Sequence, residues 1–216
     1  MKTGIQIALW IGSAVLAYLI YLSVTGPIEF AKVKQERYSK VIANLKDIRS
    51  SQEAYKTVNG KYAKDFNTLV SFVDSGRYTI TTQKDSSFLR FDKSFNIDMP
   101  VDTVVIDTLG FVAVKDSLFK KDDRYKTMMN VPGAEGKTFE MSAAIIDKGG
   151  YKAPVFEAKV AKIEILSDQP SDLIKRENAQ VSVEEVNGTH ITVGSLTQVS
   201  TSGNWPPIYD RRGEQQ

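Results

Sequence analysis

From Ile5 to Val24 the chain is apolar apart from Gln6, Gly12, Ser13 and Ser23, and it carries no formal charge. At 1.5 Å per residue, about twenty helical residues span roughly 30 Å, the thickness of a bilayer's hydrocarbon core. Trp10, Tyr18 and Tyr21 add aromatics, and Tyr21 sits where an interfacial ring is expected. The pattern predicts a membrane anchor over residues 1–25 that contacts lipid through residues 5–24. A cleaved export signal is the rival reading, but its apolar core is ordinarily shorter and precedes a small-x-small site. Val24-Thr25-Gly26 comes nearest, and cleavage there would leave Pro27 first.

The period then changes. Gly26-Pro27 predicts a kink or break, because proline lacks the N–H that a continuing helix needs. From Ile28 to about Val58, Tyr38, Val41, Leu45, Ile48, Gln52 and Tyr55 recur at spacings of three and four, the mark of a helix with one buried face. That stripe has two uses: packing on the chain's own sheet, or a coiled coil with further copies. Two and a half heptads with Gln52 at a core position favour the first. Asn59-Gly60 supplies a helix stop, and Asp65 an N-cap for a short helix presenting Phe66, Leu69, Val70 and Val73 before Asp74-Ser75-Gly76. Residues 26–76 are thus read as a helical region.

Residues 77–199 are read as a β-rich head. Candidate strands are Arg77–Thr82, Phe88–Phe91, Thr103–Ile106, Phe111–Val114, Thr138–Ile146, Val155–Val160 and Lys162–Leu166. Val181–Val186 and Thr189–Val193 flank Asn187-Gly188, a hairpin signal. Asp172–Glu177 reads as a helical turn or two, and Asp98-Met99-Pro100-Val101 as a boundary if two subdomains exist. Residues 200–216, with Gly203, Pro206 and Pro207, are read as an irregular tail. The fold class expected is α+β, with the long helix packed on a predominantly antiparallel sheet.

Composition narrows the function more than it names it. Among 216 residues, 28 Lys and Arg against 26 Asp and Glu give a net charge of +2, which argues against nucleic acid as a partner. Cysteine is absent, removing disulfides, thiolate nucleophiles and Cys-based zinc sites. His190 is the one histidine and is read as a surface residue of the predicted hairpin. A serine triad would need a G-x-S-x-G elbow, whereas Val193-Gly194-Ser195-Leu196 reads as a strand end. Asp92 with Asp98, or Glu184 with Glu185, form carboxylate pairs read as solvated charges. Asp92, Asn96 and Asp98 offer oxygen ligands for calcium, but without EF-hand spacing and with Lys93 among them. No catalytic, cofactor-binding or metal residue is therefore assigned, and no cofactor is expected. Trp205 either covers the chain's own core or anchors a partner, the former being preferred.

The first third, through Ile48-Arg49-Ser50-Ser51-Gln52-Glu53-Ala54-Tyr55 and Asn59-Gly60-Lys61-Tyr62 after an apolar helix and Gly-Pro, resembles type IV pilins and type II secretion pseudopilins. It departs from them at Ile5 and Leu9, where that family carries Phe and Glu. The remainder, through Val155-Phe156-Glu157-Ala158-Lys159, Val193-Gly194-Ser195-Leu196-Thr197 and Gly203-Asn204-Trp205, resembles a group of uncharacterised bacterial single-pass membrane proteins. The resemblance implies a single-pass protein of the bacterial inner membrane with a periplasmic head, protein partners in the envelope and possible homo-oligomers. The basic residues Lys32, Lys34, Arg37 and Lys40 after the span count the other way, towards a cytoplasmic head. The expected role is a non-enzymatic structural or interaction subunit; a tethered coiled-coil scaffold and an envelope enzyme with converging carboxylates are the alternatives.

Overall fold

A computed structural model describes residues 2–92, 97–120 and 122–210. The chain is α+β. It begins with α1 (Lys2–Asn59), a single helix of 58 residues that is long and apolar enough near its start to cross a membrane. Of the expected kink or break at Gly26-Pro27, the break is absent, since Pro27 lies inside α1. A proline forfeits its own bond to the carbonyl four residues back and its ring crowds that carbonyl, a local cost that the unbroken turns on either side carry. Residues 5–7 and 9–24 are exposed along every face, as suits a segment whose solvent is not water.

The far half of α1 is consumed by the head. Tyr38, Val41, Leu45, Ile48 and Gln52 are all fully buried, so the stripe packs on its own domain. Gln52 is satisfied there by a two-way amide pair with Ala63: its Nε2 donates to the Ala63 carbonyl and its Oε1 accepts the Ala63 N–H, both at 2.9 Å. Gly60 closes the helix at φ +70°, a left-handed conformation that costs glycine least. Asp65 accepts the Thr68 N–H at 2.8 Å and opens α2 (Phe66–Ser75), whose Leu69 and Val73 are buried. Phe72 meets Tyr55 edge-on, ring centroids 5.0 Å apart.

Two long strands follow where four short ones were expected. β1 (Arg77–Asp92) pairs antiparallel with β2 (Ile97–Ala113) in a register broken only by a bulge at Ile80/Thr81. The polar run Gln83–Ser87 does not end β1, because neither face of this two-stranded arm lies in the core and polar side chains cost nothing there. Asp98-Met99-Pro100-Val101 lies within β2 and bounds nothing. Val114 leaves the strand to start α3 (Val114–Leu118), followed by a 3-10 turn at Arg124–Lys126.

The second sheet is β3 (Glu140–Lys148), β4 (Tyr151–Ala161) and β5 (His190–Gly194), antiparallel in the order β3-β4-β5. Phe156, Ala158, Val160, Ile191 and Val193 join the α1 stripe in one core. Gly194 has φ +77°, and a Cβ there would lie 2.2 Å from the Phe156 carbonyl oxygen, so the tight end of β5 requires glycine.

Two expected strands are not strands. Lys162–Leu166 gives α4 (Lys162–Ile165) and its cap, because Lys162, Ile165 and Leu166, at helical spacings of three and four, are the residues that bury. Val181–Val186 forms no strand, and Asn187-Gly188 joins no hairpin. There the Asn187 side chain accepts the Ser182 N–H at 2.8 Å, closing a loop between α5 (Ser171–Ala179) and β5. The tail folds back: Trp205 is buried, its Nε1 donates to Asp210 at 3.1 Å, and a 3-10 turn spans Pro207–Tyr209.

Candidate functional site

The chain runs its charges together at one end of the head. β4 passes Tyr62, whose ring lies 4.7 Å from that of Phe156, near the far end of α1, and descends to Lys162 beside the middle of the same helix. Lys162 is wholly buried, and its ammonium donates to Glu177 Oε1 at 3.0 Å and to the Val186 carbonyl at 2.6 Å. Lys34 of α1 donates to Glu177 Oε2 at 2.9 Å and to Glu185 at 2.8 Å. Tyr38 adds a longer contact of 3.4 Å from its hydroxyl to Glu177 Oε1. Two ammonium groups face two carboxylates, so the cluster is neutral.

The electrostatics follow from that balance. Burial disfavours the Lys34 charge, but the bonds to Glu185 and Glu177 outweigh it and raise its pKa. Burial, and then the Glu177 carboxylate, hold the proton on Tyr38 far beyond the ordinary phenol range. Glu177 has both oxygens occupied by cationic donors, so the cluster is built as a clamp between α1, α4 and α5 and offers no free base.

Beside it opens a cleft of about 610 Å³ lined by Ala31, Lys34, Gln35, residues 183–185 and residues 206–209. A second cleft of about 390 Å³ lies further along α1, between Lys46, Asp47, Arg49, Ser50, Leu118, Phe119, Arg124 and Asp210. Its carboxylates are held by cations: Arg124 donates to Asp47 at 2.8 Å, and Lys46 stands 3.0 Å from Asp210. Arg37 grips Asp168 with two nitrogens at 2.5 and 2.8 Å, holding that carboxyl down at about 2.

Among the described residues beyond α1, the β1–β2 arm carries many exposed apolar side chains. Paired residues share a face, so Ile80, Phe88, Met99 and Val105 lie on one side with Lys84 and Arg90. Leu89, Phe91, Val104, Ile106 and Phe111 lie on the other with Asp85, Asp98 and Asp102. All of these apolar side chains are exposed, Leu89 by 69%. A lone two-stranded ribbon is marginal in water, and this one leaves apolar side chains of both its faces exposed.

The residues singled out from sequence are scattered over this frame. Glu185 enters the clamp, while Glu184 lines the adjoining cleft. Asp98 lies on the acidic face of the arm, whereas Asn96, Lys93 and the Asp92 side chain of the conceivable calcium site lie outside the described residues. His190 starts β5 half-buried, its ring bonded to Thr189, and Ser195 Oγ bonds to its own loop at Thr197 and Gln198. Lys34, Lys162 and Glu177 escaped sequence reasoning as a group; a lone lysine ahead of an apolar alternation was the one available sign. Comparison of the chain with protein-family models, with curated proteins and with solved structures found no match.

Proposed function

We propose that this chain is a non-enzymatic, membrane-anchored interaction subunit of a bacterial envelope assembly, with α1 as the single-pass anchor and the head on the periplasmic side. The observation that carries this reading is the β1–β2 arm, whose two apolar faces find no cover within the described chain. The acidic face suits a partner protein that presents Lys or Arg around an apolar strip. The ion pairs of Glu185 in the larger cleft and of Asp47 and Asp210 in the smaller one support a binding role over general acid/base chemistry. Burial of the Tyr38–Ile48 stripe within the head argues against the tethered coiled-coil scaffold. The likeness of residues 1–76 to pilins and pseudopilins supports the same envelope setting.

The test is excision of the arm. Thr82 and Asp107 are paired, so replacing the residues between them with Asn-Gly closes a short hairpin. In native membranes the parent should migrate within a larger assembly on a non-denaturing gel, and the arm-less chain as the free protein with an unchanged head melting curve. Equal migration of the two would remove the arm from the assembly. A protease reaching the C-terminal tail in spheroplasts checks the orientation; a protected tail would place the head in the cytoplasm.

A further inference from the structure

α1 is a ruler, because each residue along it adds 1.5 Å of height. The first formal charge after Lys2 is Glu29, and the next residue, Phe30, is already buried in the head. The uncharged run continues past Val24 to Ile28, so Phe30 stands about 3 Å beyond its end, while the headgroup layer adds roughly 5–8 Å to each side of the hydrocarbon. The head therefore begins within the headgroup layer.

The parts of the head at that height are fixed by the clamp. Side chains of a helix lean towards its N-terminus, so the Lys34 ammonium hangs towards the apolar segment and draws Glu185 with it. The loop before Glu185 carries Val181 and Val183, exposed by 88% and 90%, the latter lining a cleft with Ala31. Two β-branched side chains held fully in water, on a loop pinned by Lys162 at the Val186 carbonyl and by Asn187 at Ser182, are a poor surface for solvent.

We propose that the Val181–Val183 loop rests in the phospholipid headgroup layer, so that the head sits on the bilayer and is not held off it. The inference rests on the anchor reading, and the occupant follows from continuity: the surface that receives residues 5–24 extends directly beneath this loop. Lys32, exposed on the adjoining turn and about 6 Å beyond Ile28, stands at the height of the lipid phosphates.

The natural absence of cysteine allows a clean test with full-length protein in phosphatidylcholine vesicles. Single variants Val183→Cys, Val181→Cys, Leu16→Cys and Val58→Cys carry a nitrobenzoxadiazole fluorophore, and spin labels sit either high or low on the acyl chains. The labels at 181 and 183 should lose fluorescence to the shallow quencher, Leu16→Cys to the deep one, and Val58→Cys, at the far end of α1, to neither. Quenching at 181 and 183 no greater than at 58, with Leu16→Cys still quenched, would overturn the resting loop and leave the anchor standing. An unquenched Leu16→Cys would overturn both.

Discussion

Lys34 and Glu177, 143 positions apart in sequence, meet at 2.9 Å as a buried ion pair. The contact ties the start of the α1 amphipathic half to α5, and through Glu177 to Lys162. Removing Glu177 leaves a fully buried ammonium facing no carboxylate. Glu177→Gln should destabilise the head by about 3–5 kcal/mol, the usual consequence of breaking a buried pair. Replacing the trio together, Lys34→Met, Glu177→Leu and Lys162→Met, should recover most of that loss; denaturant melts of the three proteins decide it.

Leu45 tests whether the helix serves its own domain. Because it is fully buried against the sheet, Leu45→Ala should cost about 2–5 kcal/mol in a chain beginning at Ile28. The parent midpoint should not move over a wide range of protein concentration. A midpoint that climbs with concentration in the parent, and stops doing so in the variant, would indicate an intermolecular seam.

Partitioning separates the two halves of α1. The full chain should sediment with membranes after alkaline extraction, and the chain beginning at Ile28 should remain in solution, since residues 5–24 form the segment that water rejects.

Asp168 gives the head an acid-sensitive contact. Its folded pKa of about 2 lies below the ordinary 3.8 because Arg37 bonds it. A depressed carboxylate contributes stability above its unfolded pKa and loses it as the pH falls through the folded value. The stability gap between the parent and Asp168→Asn should therefore be constant above about pH 5 and close between about pH 4 and pH 2. Asp168 is half-exposed, so solvent screening keeps the gap small.

These contacts differ in how readable they were. The Tyr38–Gln52 stripe and the Asp65 cap follow from short-range periodicity and hydrogen bonding, and the fold bears both out. Lys162-Ile163-Glu164-Ile165 and Val181-Ser182-Val183 alternate as strands do, yet period two signals a strand only when one face is buried. In α4 it is Lys162 and Ile165 that bury, and in the loop both valines face outward. The polar centre of β1 misled for the converse reason, since a ribbon wet on both faces needs no pattern. The clamp was illegible because its members meet only after β4 has returned along α1.

The proposed role puts partner contacts on the arm and none on the helix stripe. A photoreactive amino acid installed at Leu89, exposed on the acidic face, or at Leu45, buried under the sheet, measures this in native membranes. Irradiation should give discrete adducts with another envelope protein from Leu89 and none from Leu45. Silence at Leu89 together with adducts between copies of the chain at Leu45 would contradict it, and would make the helix the site of assembly.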